Sequence, residues 1–163
     1  MMRPFQGAVS LLVTVPGAGE LSAAAVISEI SASPGQYFPT AAQLASWTGI
    51  CPGNHESAGR HHSGKRRPGN KHLQPVPVEC AWAAVRHEGY PRSLYHRHVM
   101  RNGGYRSRAA RNKAIITVAR AILAIMWHVL STGRPYEEPG PERETRRLIA
   151  RLEALGHTVS LAA

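Results

Sequence analysis

Ser57 lies in the polar run Pro52-Gly53-Asn54-His55-Glu56-Ser57-Ala58-Gly59-Arg60, a loop that presents one hydroxyl beside a dense set of cations. A serine that attacks phosphorus must lose its proton while the phosphate charge is neutralised. Arg60, Lys65, Arg66, Arg67 and Lys71 can supply that neutralisation, and Gly59 and Gly64 let the backbone come close. Asn54 adds a polar group ahead of the serine. Glu56, His55, His61 and His62 flank the hydroxyl, yet none is singled out as its base. By residue type alone, Ser57 reads either as a nucleophile or as a turn residue that binds phosphate.

The charge around it is one-sided. Between Arg60 and Lys113 stand thirteen cations and two acids, Glu79 and Glu88, so the stretch carries thirteen minus two, or +11, of the chain's net +10. Such a field calls for a polyanion, and nucleic acid is the commonest. The 163 residues contain no Asp, and five of the ten Glu fall in Glu137–Glu153. Two-metal phosphoryl-transfer sites gather several carboxylates, which argues against a self-contained metal nuclease. His61-His62 and His96-x-His98 lack paired cysteines, and Cys51 and Cys80 lack partners at zinc spacing. No metal ligand is assigned. Two isolated cysteines, no signal-peptide run and an apolar stretch at Ala114–Leu130 interrupted by Arg120 predict a soluble, cytoplasmic protein with no membrane partner.

The elements that must carry this loop are helical. Leu11–Val15 leads into Pro16-Gly17-Ala18-Gly19 and then an Ala-rich helical pattern, with Ala23, Val26, Ile27 and Ile30 on one face. Pro16, Gly17 and Gly19 predict a helix–hairpin–helix at about 8–31, whose bare amides at a helix start can dock a phosphate. The plain alternative is an αα-corner whose glycines only allow close packing. Thr40-Ala41-Ala42-Gln43 is a capping box that opens a short helix through Trp47. The serine loop spans 52–71, irregular or a short hairpin. Pro77 then starts a helix to about His87, Arg92–Arg101 forms another, and Arg108–Ser131 is the long central one. Its stripe is Ile115, Val118, Ile122, Met126 and Val129. Trp47, Trp82 and Trp127 are expected as core anchors, and Tyr90, Tyr95 and Tyr105 either stack on bases or pack on the surface. A last helix from Pro141 presents Leu148, Ile149, Leu152 and Leu155, followed by a short strand or tail at His157–Leu161. The fold class is mainly α: one unit over 1–138, with 139–163 as C-terminal helix and tail.

Taken in order, these motifs resemble one family. Leu12-x-x-Val15-Pro16-Gly17-x-Gly19, Phe38-Pro39-Thr40-x-x-Gln43-Leu44-Ala45-x-Trp47-x-Gly49, Glu56-Ser57-Ala58-Gly59, Gly64-Lys65-x-Arg67-x-Gly69-Asn70 and Ala81-Trp82-Ala83-Ala84 precede the long helix, Gly133 and Tyr136. The set is similar to the C-terminal domain of transposases of insertion sequence family 110/116/902, the bridge-RNA-guided recombinases. The resemblance implies a serine nucleophile at Ser57 that forms a phosphoserine link to DNA, and a structured guide RNA as partner. It also implies a homo-oligomer or an assembly with full-length transposase, and magnesium held only by a separate RuvC-like acidic domain. This chain, beginning just before the helix–hairpin–helix, then reads as a truncated copy, catalytically incomplete alone. Leu73-Gln74-Pro75-Val76-Pro77 departs from the family pattern and is expected to break a helical turn near the loop. The alternative function is a non-catalytic helix–hairpin–helix nucleic-acid-binding module.

Overall fold

The computed structural model describes residues 5–51, 56–57, 60–61, 68–140, 145, 149 and 152–157. Within them run α1 (Gln6–Val13), α2 (Glu20–Ile30), a 3₁₀ turn at Pro34–Gln36, α3 (Ala41–Thr48), β1 (Glu56–Ser57), β2 (Arg60–His61), α4 (Pro75–Ala84), α5 (Tyr90–Arg101) and α6 (Arg108–Thr132). The architecture is mainly helical, built around α6, against which α1, α3, α4 and α5 all pack. Ala114, Val118, Ala119, Ile122, Leu123 and Met126 of α6 are sealed from solvent. A stripe this broad on a helix means that neighbours cover it from several sides. Ser107 starts α6 by accepting the Ala110 amide at 3.2 Å, and Gly133 ends it in the left-handed region. At 25 residues α6 is long and apolar enough to cross a bilayer by length and composition despite Arg120, and half of that apolar window is buried inside the bundle.

The other expected elements form with shifted ends. Thr40 and Gln43 exchange hydrogen bonds of 3.3 and 3.1 Å, the predicted capping box of α3. The helix expected from Pro77 starts two residues earlier, at Pro75, and stops at Ala84 rather than His87. Proline is tolerated through the first turn because the first amides of any helix lack an intrahelical acceptor. Nor do the prolines break the chain ahead of it: Gln74 N donates to Asn70 O at 3.0 Å and Val76 N to Leu73 O at 3.1 Å, so a turn at 70–74 feeds directly into α4. Leu73 is fully buried at that junction.

The tryptophans depart from expectation. Trp47 and Trp82 are 42% and 41% exposed and are not core anchors; their helices bury Leu44, Ala45 and Thr48 in α3 and Pro77, Cys80, Ala81 and Ala84 in α4. Trp127 is half-buried and donates its Nε1–H to Phe38 O at 2.9 Å. In the C-terminal segment residues 145, 149 and 152–154 are helical; of the predicted apolar face Ile149 is half-buried, while Leu152 and Leu155 stand exposed. Leu148 and the expected strand beyond His157 lie outside the described residues.

Past α6 the chain straps back over the bundle. Tyr136 N donates to Thr14 Oγ1 at 2.8 Å, at the end of α1, and Tyr136 OH donates to Glu138 Oε2 at 2.7 Å. The other Glu138 oxygen accepts the Tyr90 amide at the start of α5. Helix α5 has no capping side chain at Gly89 and no acid in its first turn. Glu138 therefore supplies the missing acceptor and negative charge. Burial, the donated hydrogen bond and the nearby carboxylate all push the Tyr136 phenol well above its ordinary range, which keeps it a donor. Replacing Glu138 by Ala should cost about 0.5–2 kcal/mol, the usual loss for a helix cap, read from the urea midpoint. An unchanged midpoint would mean that the strap holds nothing.

Candidate nucleic-acid interface

The serine segment joins the bundle at a pinned neck. Chain leaves the bundle at the end of α3, where Gly49 takes the left-handed conformation and Ile50 is fully buried. Thr48, also fully buried, satisfies its hydroxyl on Leu44 O at 2.8 Å. The chain returns across this same point. A Cβ at Gly69 would collide with the backbone of Thr48 and Gly49, so only glycine lets the two strands of the neck cross.

Asn70 locks the crossing. Its Oδ1 accepts the amides of His72 and Leu73 at 2.8 and 2.9 Å, and its backbone N–H donates to Trp47 O at 3.3 Å. With Oδ1 so occupied, Nδ2 faces Glu29 and donates to Oε2 at 2.6 Å, a short charge-assisted bond to the end of α2. Gln74 Nε2 adds a bond to Gly49 O at 3.3 Å. Glu29, Gly69, Asn70 and Gln74 thus position the loop, and the residue-by-residue search for chemistry passed over them. Asparagine's habit of bonding amides two and three residues on was the available signal.

Within the segment β1 and β2 pair antiparallel, with Ser57 opposite Arg60 and Glu56 opposite His61. Asn54, Gly59, Lys65, Arg66 and Arg67 lie outside the described residues. Lys71 is exposed at the base of the neck.

The α1–α2 turn sits elsewhere. Gly17 has φ +77°, and a Cβ there would collide with Cys80 O and approach Ala84 N to 2.8 Å, so the turn lies against α4. Pro16 is half-buried. Gly19 departs from the expectation: its φ is −104°, and its amide is held by Ser22 Oγ at 2.9 Å instead of standing bare. Open space surrounds a Cβ at Gly19. The packing reason for glycine therefore holds at Gly17 and at neither end of the turn's helix cap. Gly19 and Glu29 are at opposite ends of α2, about 15 Å apart at 1.5 Å per residue, so the turn and the neck are two separate points.

Among the described residues no three His, Cys, Asp or Glu gather as a metal site. Cys80 is buried, and desolvation pushes its thiol up, outweighing the Ser22 hydrogen bond that pulls it down. It is an inert core residue. Partial burial, then Arg101 and Arg97, push His98 below its ordinary value.

Two outcomes follow. Gly69→Ala should destabilise by about 1–3 kcal/mol, the range for forced overpacking, whereas Gly19→Ala should leave the thermal midpoint within error; equal effects would refute the neck. Because His98 binds its proton less readily folded than unfolded, its contribution is complete above the unfolded value of about 6.5 and is lost as pH falls below it. His98→Gln should therefore flatten the fall in urea midpoint between about pH 7 and 5.5, and an unaltered slope would exclude His98 as its source.

The profile of the transposase IS116/IS110/IS902 family matches residues 9–97, which run from α1 through the neck and α4 into α5. A relative from Streptomyces coelicolor, the insertion element IS110 uncharacterized 43.6 kDa protein, is 29% identical over 133 residues. That alignment covers 80% of this chain and 31% of the relative, so the chain spans about a third of the relative's length. The protein belongs to the IS116/IS110/IS902 transposase family.

Proposed function

We propose that this chain is the DNA-binding, serine-bearing domain of an insertion-sequence transposase and acts in strand cleavage and rejoining. Ser57 is the nucleophile. Its Oγ attacks a strand phosphate, an Oγ–P bond forms as a P–O bond to deoxyribose breaks, and the serine proton ends on the departing hydroxyl. The phosphoserine conserves the phosphodiester's energy, so attack by another DNA hydroxyl rejoins strands without a further energy source. Asn54, Gly59, Arg60, Lys65, Arg66, Arg67 and Lys71 hold the phosphate and offset its charge. Pro16, Gly17 and Gly19 grip the backbone at a second point.

The observation that carries this reading is the register of the small hairpin, Ser57 opposite Arg60. Backbone pairing thereby sets the serine position directly across from an arginine position, at the edge of the +11 stretch and beyond a neck whose geometry only glycine permits. No step runs through a metal on this chain. A guide RNA and assembly with further transposase subunits complete the reading, and the cytoplasm is its setting.

The test is a suicide DNA substrate mixed with this chain and a full-length relative. A covalent adduct on this chain should form, and Ser57→Ala should abolish it while DNA is still bound. Binding with no adduct on the wild-type chain would leave the non-catalytic binding module as the function. Five or so phosphate contacts also predict that log K falls with log salt at a slope of about −4 to −5. A flat dependence would sink the phosphate reading.

A further inference from the structure

A row of four rings runs across α4, α5 and the turn before α6. Trp82 and Tyr95 are edge to face with centroids 6.1 Å apart, Tyr95 and His96 follow at 6.0 Å, and His96 and Tyr105 at 5.7 Å. Tyr95 is the buried footing at 8% exposure, while Trp82 and Tyr105 are 41% and 44% exposed. Trp82 rests edge-on against Tyr95, and the Tyr105 ring is held by hydrogen bonds. Arg92 Nε donates to His96 Nε2 at 3.2 Å, and because a guanidinium only donates, Nε2 is the acceptor and Nδ1 carries the proton. Nδ1–H then donates to Tyr105 OH.

Exposed rings fixed by their neighbours have already lost the freedom that binding would otherwise remove. Their surroundings select the ligand. From Trp82 to Lys113 the chain has eight cations and one acid, Glu88, or eight minus one, +7. Flat apolar faces set in positive charge fit a strand that offers both π-faces and phosphates, and duplex DNA hides its bases in the stack.

We infer that the Trp82–Tyr95–His96–Tyr105 row is a stacking platform for the bases of an unpaired DNA strand. Trp82 and Tyr105 take the bases, and Arg92 and His96 are positioning residues that hold the Tyr105 ring. This rests on the DNA-binding reading above and adds the strandedness of the substrate: a cut and rejoined duplex must be opened, and the platform receives the freed bases.

The experiment compares labelled oligo(dT) of about twenty nucleotides with a duplex of equal length, titrated by anisotropy at one salt concentration. Trp82→Ala and Tyr105→Ala should each weaken oligo(dT) about ten- to hundredfold and duplex binding by less than about twofold. Trp82→Phe and Tyr105→Phe keep a ring and should retain most of the affinity, and circular dichroism of all four variants checks the fold. Equal losses on both DNAs, no loss on oligo(dT), or failure of the phenylalanine variants to rescue would each overturn the platform. Ring-dependent binding of oligo(U) tighter than oligo(dT) would overturn the assignment to DNA. If the wild-type chain binds neither DNA, the DNA-binding reading falls and the platform with it. Normal duplex binding without ring dependence removes the platform alone.

Discussion

The crossing of two backbone strands at Gly69 is the constraint on which the rest of this molecule's chemistry depends. The segment between Cys51 and Pro68 is rich in Gly, His, Lys, Arg and Pro and has no apolar pattern that would fix it to a core. Its position is set at its two ends. Helix α3 ends at Gly49, the chain returns over that end at Gly69, and Asn70 ties the junction to α2 through Glu29. Four of the thirteen cations of the +11 stretch, Arg60, Lys65, Arg66 and Arg67, fall within that segment, and the neck is what ties this charged run to the bundle.

The same junction orders the helices. Asn70 accepts amides from the turn that feeds α4, and Glu29 ends α2, so the last turn of α2 lies beside the start of α4. At the other end, Gly17 just before α2 lies against Cys80 and Ala84 of α4. The two helices therefore run antiparallel, with a glycine contact near one end and an asparagine–glutamate bond near the other. Shape alone sets the first and polar pairing the second. Neither substitutes for the other, because an alanine added at Gly17 meets backbone and no side chain that can turn aside.

Much of this was legible in residue types. The α6 stripe, the Thr40–Gln43 box and the Ala23–Ile30 face are periodic or local signals, and they form as read. Where the reading missed, the cause was tertiary. Pro75 begins α4 because a turn at 70–74 delivers the chain already coiled, which no count of prolines reveals. Trp47 and Trp82 look like core residues by spacing, but α3 and α4 turn other residues inward and leave both indoles partly exposed. Glu138 caps a helix 48 residues earlier, a relation without a local signature. The Ser57–Arg60 pairing was half legible: the residue types pointed to phosphate, and the register came only from the backbone.

The length of α2 sets the interval between the two points that the proposed function would bring to DNA. The α1–α2 turn at Gly19 and the neck at Glu29 are about 15 Å apart, whereas successive phosphates of one strand advance about 3.4 Å along a duplex axis. On that proposal, a hold by the turn would fall about four base pairs from the root of the serine segment. A hold at that distance would leave the DNA next to Ser57 free to move, which cutting and exchanging a strand requires, whereas a grip on the adjacent phosphate would resist the same motion. The spacer is one 11-residue helix, set against Cys80 and Ala84 of α4 near its start and bonded near its end to Asn70, in the turn that feeds α4.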